Sequence, residues 1–555
     1  MAANNEAIYK NILEITTETP VERFAKKRAN NAKYNTSAAL SFQLMTRAEP
    51  PEMVIATIQS LLAIKSPDDE IIIIDNNHTN TSLYQPLAAF CASLDATRQV
   101  HFYHIDAVEG FKAGALNLAL GLMNPNCTHL VVVDSDYQAL PHARAAITEA
   151  IHRHPDHALL QFPQFYRNAG QVDARSELNH YFNHHLYRPF NRDRALSTGT
   201  YAVIRRSDLL SLGGWSGASI TEDAQMGVLM HHSGLRSTFI PQVIATGLLP
   251  NTLNDLMSQR RRWIYGNMQV LNDYVSVSKP SLSSKPTLSP TQKVPSKPTV
   301  PLKPTLSQTS DARSAKSISE RSAYVRAHLS QLSAWINFTG FFIFLQVCAL
   351  LVIGTALLKQ NFETALLTPL YAVYASYAIF LFRRLWAYSQ DQTPLNKQID
   401  TNHQPSIDAK VRAWLMHINF WELGALTWLP VLWGRTKPFI CTPKQKYIQT
   451  RRSLWMANMA ALPKLLLILN LITALVVAPF SPFYSPVLFV CALTVCALKI
   501  AAAKVAMDNF AFTEPKTPRI MTKSQIAMTT VHRQIKPIKS SDITAVFEDK
   551  KTINS

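Results

Sequence analysis

Apolar residues are split unevenly between the two halves of this 555-residue chain, and the split limits what it can fold into. From Ile336 onward several apolar runs approach the roughly 20 residues that a membrane helix needs, and before that point no run is long enough. A soluble domain followed by a membrane domain is therefore expected. Spans are predicted at 336–358, 365–382, 465–480 and 486–502. Arg383 and Arg384 stop the second, Arg451 and Arg452 precede the third, and Lys499 and Lys504 close the fourth. Four spans bring both ends of the chain to one side, which the basic residues mark as cytoplasmic. The stretch 414–433 is apolar but carries His417, Asn419, Glu422 and several tryptophans, so an interfacial helix is favoured over a fifth span.

Charge placement narrows the partners. The formal charge is +18, but much of the excess lies between 276 and 326 and beside the apolar runs. That distribution suits anionic membrane lipids and argues against nucleic acid. The six cysteines form no Cys-x-x-Cys pair, so reduced thiols are expected rather than a disulfide frame or a zinc site. Residues 1–36 are polar and lack the apolar core of a signal peptide, which keeps the following domain on the cytoplasmic side.

Residues 37–275 alternate short β-branched runs with helical patterns. Glu70–Asp75, Val100–Ile105 and His129–Asp134 are predicted strands, with helices at Pro51–Ile64 ahead of the first and Lys112–Leu122 ahead of the last. That alternation specifies an α/β domain with a mainly parallel sheet, whose ligands collect beyond the carboxyl ends of the strands. Residues 276–321 repeat Lys-Pro-Ser/Thr and carry little apolar surface, which predicts a disordered linker, either an inert spacer or a tether to the membrane surface. The membrane domain occupies 322–510, and a basic cytoplasmic tail is expected at 511–555.

Three short motifs carry chemistry. Asp134-Ser135-Asp136 ends a predicted strand, where oxygen ligands suit Mg²⁺ or Mn²⁺ on a diphosphate. Taken alone it is weak, and a solvated turn after a strand is the commoner reading. Thr221-Glu222-Asp223 opens a helical pattern and offers a carboxylate base, although threonine and acids also suit a helix start. Gln259-Arg260-Arg261-Arg262-Trp263 supplies a guanidinium for a departing diphosphate and an indole face for a sugar. The order of the three, about 90 and then 40 residues apart, sets the combination above any one of them. His180, His184 and His185 fit a packed or solvated helix face better than a metal site.

Together with Glu49-Pro50-Pro51, Ile74-Asp75-Asn76-Asn77, Gly110-Phe111-Lys112-Ala113-Gly114 and Gly213-Gly214-Trp215, these motifs resemble the processive family 2 glycosyltransferases of the cellulose synthase type. The nearest likeness is to bacterial β-glucan synthases, including those making β-1,3 and cyclic β-1,3/1,6 glucans. The resemblance implies a GT-A fold and inverting transfer of glucose from UDP-glucose to a growing β-glucan. It implies that Asp75, Lys112, Asp134 and Arg262 hold the nucleotide, with Asp136 and Asp134 on Mg²⁺ or Mn²⁺. Asp223 is then the base with Glu222 beside it, and Gln259 and Trp263 meet the acceptor. Phe439-Ile440-Cys441-Thr442-Pro443-Lys444 resembles the family's gating loop, which implies that Thr442 and Lys444 close on the diphosphate. The implied partners are a UDP-sugar donor, a glucan or lipid acceptor and membrane lipids, in a bacterial inner membrane. The small membrane domain leaves room for an accessory protein that completes an export channel. It also keeps open a non-processive transferase making a glycolipid or polyprenyl-linked sugar. A catalytically inactive scaffold on the same fold is the remaining alternative.

Overall fold

A computed structural model describes residues 38–275, apart from 78–79, 107, 168–171, 188–192, 194 and 218. It further describes 326, 329, 332–333, 337–390, 406–432 and 451–510. The expected N-terminal segment, linker, gating loop and tail lie outside the described residues.

The first half is built around a seven-stranded sheet. In chain order the strands are β1 (Leu40–Thr46), β2 (Glu70–Asp75), β3 (Val100–His104), β4 (His129–Asp134), β5 (Gln138–Ala139), β6 (His157–Gln161), β7 (Ala202–Arg205), β8 (Arg236–Phe239) and β9 (Ala245–Thr246). The sheet order is β3-β2-β1-β4-β7-β6-β8, and β5 pairs with β9 apart from it. Strands β3, β2, β1 and β4 run parallel, β6 and β8 run parallel to each other, and β7 is antiparallel to both β4 and β6.

The continuous apolar run of β2 follows from this architecture. Ile71 and Ile73 enter the core on one face, while Ile72 and Ile74 enter the core on the other. Val131 and Val133 against Leu130 and Val132 repeat the pattern in β4. A strand covered on both faces needs no polar alternation. The helices of this half are α1 (Pro51–Ile64), α2 (Thr81–Ala92), α3 (Phe111–Leu122), α4 (Ala143–Arg153), α5 (Val172–His180), α6 (Arg206–Ser211), α7 (Glu222–His232) and α8 (Leu253–Val275). Helix α5 runs on into a π-helical turn, Tyr181–Tyr187.

Between β6 and β7 the chain makes a long excursion, 162–201, whose ends are stapled together. Gln161 accepts from Thr198 N–H (2.9 Å) and donates to Thr200 C=O (2.9 Å), and Gln164 donates to Thr198 C=O (2.6 Å).

The second half is helical: α9 (Phe338–Leu358), α10 (Thr368–Ser389), α11 (Ile407–Leu426), α12 (Arg451–Ala461), α13 (Leu465–Val476) and α14 (Pro486–Asn509). Phe338–Leu358, Thr364–Ser389 and Pro486–Asn509 are long and apolar enough to cross a membrane. Helices α12 and α13 pass the same test only together, and they meet at 71°. These helices make the chain an integral membrane protein. The span expected at 465–480 is thus a 12-residue helix with a bent partner before it.

Helix α11 carries the polar residues noted in the sequence, and Trp414, His417, Asn419, Trp421 and Glu422 are all buried. Glu422 accepts from Leu465 N–H and Leu466 N–H at the start of α13, and its other oxygen lies 3.1 Å from Lys499 Nζ. Removing one partner of a buried pair strands the other charge. Glu422→Gln keeps an acceptor for the helix start but discards the charge, and is expected to cost about 3–5 kcal/mol. The check is the thermal midpoint in detergent. Adding Lys499→Met should recover most of the loss, and an unchanged midpoint in the single variant would show that the pair is solvated.

Candidate active site

A cleft opens at the carboxyl ends of β1, β2 and β4. Strand β4 ends at Asp134, and the following turn is closed by Tyr137 N–H donating to Asp134 C=O (3.0 Å). The turn is clamped from outside. Thr57 donates to Ser135 C=O (2.7 Å), Arg167 donates to Asp136 C=O (2.9 Å), and Leu248 N–H donates to Asp136 Oδ2 (3.1 Å). The Tyr137 ring lies so close to Gly247 that a Cβ there would meet it at 2.2 Å. Asp134 and Asp136 therefore face the cleft on a braced turn.

Helix α3 delivers Lys112. Gly110, at φ +81°, turns the chain into the helix, and the Glu109 carbonyl fills the place where a Cβ on Gly114 would sit. Only glycine allows that close approach. Lys112 Nζ donates to Asp134 Oδ1 (2.7 Å) and lies 3.7 Å from Glu222 Oε1. Burial alone would disfavour its charge, but the carboxylates of Asp134, Glu222 and Asp223 outweigh burial and raise its pKa.

Glu222 and Asp223 occupy the first turn of α7. Thr221 precedes them without making a side-chain cap bond; its hydroxyl lies 3.1 Å from Ser219 Oγ, and its side chain packs on Gly266. Asp223 Oδ1 accepts from Ala224 N–H (2.8 Å). Burial, then the neighbouring Glu222 charge, push the Asp223 pKa up to about 7 against the pull of Lys112. That value suits a group that takes a proton near neutrality. Gly199, at φ +96°, faces it, and a Cβ there would stand 3.0 Å from Asp223 Oδ2 and 3.8 Å from Lys112 Nζ.

Helix α8 closes the cleft with Gln259, Arg262 and Trp263, while Arg260 turns away into the core. The cleft thus brings together Lys112, Asp134, Asp136, Glu222, Asp223, Gln259, Arg262 and Trp263. Asp75 lies just outside its lining, fully buried at the end of β2. There it accepts from Asn77 Nδ2 (2.5 Å) and sits 2.6 Å from His104 Nδ1, whose ring stacks on Tyr84. Burial raises the pKa of Asp75. Thr442 and Lys444 lie outside the described residues.

Other lining residues were not expected from sequence as site residues. Glu49 accepts from Thr46 Oγ1 (3.1 Å) and from Arg47 N–H, and burial raises its pKa to about 7. Gln164, Tyr166 and Thr198 come from the stapled excursion. The position of Glu49, three residues past the end of β1, was the available signal for it.

The mainly parallel sheet, with acidic groups gathered past its strand ends, has the arrangement expected of a GT-A domain. Comparison with known families gives the finer assignment. The model described as "Glycosyl transferase family 2" matches residues 44–213, and "Glycosyl transferase family group 2" matches 129–382. Together the two models cover residues 44–382, so this stretch of the chain is similar to family 2 glycosyltransferase domains.

Among curated relatives it is 30% identical over 170 residues to a UDP-forming cellulose synthase catalytic chain of Dictyostelium discoideum, covering 29% of this chain and 16% of that one. It is 24% identical over 235 residues to "Poly-beta-1,6-N-acetyl-D-glucosamine synthase" of Staphylococcus aureus (strain COL), covering 41% and 55%. The matches thus span about half or less of these relatives. A solved structure, "Mannosyltransferase PcManGT from Pyrobaculum calidifontis in complex with GDP-Man and Mn2+", aligns at a TM-score of 0.34 with 14% identity, over 49% of this chain and 76% of that one.

Gly199→Ala forces a left-handed residue to carry a Cβ and crowds Asp223. The expected result is a fall in transfer rate of about 100-fold, with nucleotide affinity changed less than threefold. Parallel turnover and calorimetry would check it, and an unchanged rate would show that the Gly199 side of the cleft takes no part.

Proposed function

We propose that the chain is an inverting, processive membrane transferase that moves glucose from UDP-glucose onto a growing β-glucan, with its catalytic domain on the cytoplasmic face of a bacterial inner membrane. The observation that carries the reading is the meeting of Lys112, Asp134, Asp136, Asp223, Arg262 and Trp263 in one cleft. The likeness to a cellulose synthase supports glucose, and the likeness to a poly-N-acetylglucosamine synthase supports a β-linked polymer.

In this reading Asp223 takes the proton of the acceptor hydroxyl. The freed oxygen attacks C1 of the donor sugar from the face opposite the phosphate. The C1–O bond to the diphosphate breaks, and UDP leaves with the bonding pair. Arg262 and Lys112 bring positive charge to that diphosphate. Trp263 gives the acceptor sugar a flat apolar face, which a chain that stays bound between additions requires. Thr442 and Lys444 would close over the nucleotide.

Asp134 and Asp136 fit a hard divalent cation. Both present carboxylate oxygens to the cleft on a braced turn, and a diphosphate completes such a ligand set. Mg²⁺ or Mn²⁺ held there would neutralise charge on the leaving group.

A second reading, non-processive transfer to a lipid acceptor, is favoured by the small membrane part: three apolar helices, or four with the bent pair, among the described residues. Product size separates the two. The test is UDP release from UDP-glucose by the purified protein in detergent with Mg²⁺ or Mn²⁺, with labelled product sized. Long polymer is expected; a short lipid-soluble product would establish the second reading.

Asp223→Asn should lower turnover by about 10³-fold while UDP affinity stays within about tenfold. Loss of UDP binding in that variant would place Asp223 at the donor instead. A base must be deprotonated to act, and Asp223 sits near pH 7 in the free protein. The value of kcat/KM should therefore rise with pH through about 7, and a profile flat from pH 6 to about 8 would remove Asp223 as the base.

A further inference from the structure

Helix α5 lies on the excursion between β6 and β7 and docks on the membrane-side helices through one polar stripe. Asp173, Glu177 and His180 follow each other at helical spacings of four and three. Asp173 accepts from Arg412 of α11 (2.9 Å) and from Asn509 of α14 (2.7 Å). Glu177 Oε1 lies 2.8 Å from His417 Nδ1 of α11, and the same nitrogen lies 2.9 Å from the Tyr388 hydroxyl of α10. The His180 ring stacks on the Tyr388 ring with centroids 3.6 Å apart.

The second oxygen of Glu177 is engaged by α8. It accepts from Arg260 Nη2 (3.1 Å), and both side chains are fully buried. Burial disfavours the carboxylate charge, but Arg260 and then His417 outweigh burial and hold its pKa low. The Arg260 guanidinium lies 4.4 Å from the centroid of the Trp263 ring, one helical turn on, and 5.2 Å from that of Phe420 in α11. A desolvated guanidinium against an indole face fixes the ring's plane as well as attracting it.

We infer that Glu177 is a positioning residue. Held by His417 on the membrane side, it seats Arg260 against Trp263, so that the packing of α10 and α11 sets the orientation of the acceptor platform. Movement of a product chain among the membrane helices would then reach the acceptor site through side chains already in contact. The inference rests on the reading of Trp263 as the acceptor surface.

The experiment uses the full chain in detergent, labelled with 5-fluorotryptophan. Its nine tryptophans give nine ¹⁹F resonances, and Trp263→Phe identifies one of them. Glu177→Gln removes the charge opposite Arg260. Glu177→Gln combined with Arg260→Met replaces the pair by neutral groups of similar size, which guards against simple unfolding of the single variant. Both are expected to shift or broaden the Trp263 resonance. Both should raise KM for a soluble β-gluco-oligosaccharide primer about tenfold and shorten the product, with UDP affinity held within twofold. Glu177→Asp keeps the charge and should recover part of the primer KM.

An unmoved Trp263 resonance with unchanged primer KM in both variants would overturn the inference. Equal losses of primer and UDP binding would overturn it too, because that is what a merely structural pair produces. A wild type that releases no UDP would defeat the proposed activity instead, and the resonance would still decide whether Glu177 orders Trp263.

Discussion

The ammonium of Lys112 holds together carboxylates from elements far apart in the chain. Asp134 comes from the end of β4, and Glu222 and Asp223 from the start of α7. Without a cation between them these groups would repel one another in a partly desolvated cleft. With it, the strand end and the helix start are drawn to one point, and the turn at Asp136 is carried along. The stiffness of that point comes from packing behind it: the Glu109 carbonyl against Gly114, the Tyr137 ring on Gly247, and Thr221 on Gly266. Each is a place where a backbone is approached too closely for any side chain to intervene.

The catalytic fold was legible where patterns are local. The β-branched runs at Glu70–Asp75 and His129–Asp134 announced strands, and both are strands with these bounds. Strand β7 was harder to see. Four residues, Ala202–Arg205, carry little pattern, and nothing local says that such a strand runs against its neighbours. In the membrane part, apolar length alone announced Phe338–Leu358, but it gave no hint that α13 is short and joined to α12 at a sharp angle.

For the site, what was legible is placement: Asp134, Asp136, Asp223, Arg262 and Trp263 stand in motifs far apart in the chain, and they line one cleft. Gln164 and Thr198 stand in no such motif, because their relevance comes from the ends of the excursion meeting the rim. The link from His417 through Glu177 to Arg260 was out of reach of any local reading. Its members stand 240 and 83 residues apart, and each alone looks like an ordinary polar residue on a helix.

The reversed direction of β7 has a consequence for how such a chain can change. A strand that runs backward begins where its neighbours end, so the excursion 162–201 both leaves and rejoins the sheet at the cleft. The Gln161 and Gln164 side chains tie its two ends to each other. The portion that docks on the helical half, α5, lies inside this stapled segment, with Gln164 and Tyr166 on the cleft before it and Thr198 after it. One segment is therefore both rim and attachment, so a change in how the chain seats on its apolar helices cannot be made independently of the shape of the cleft.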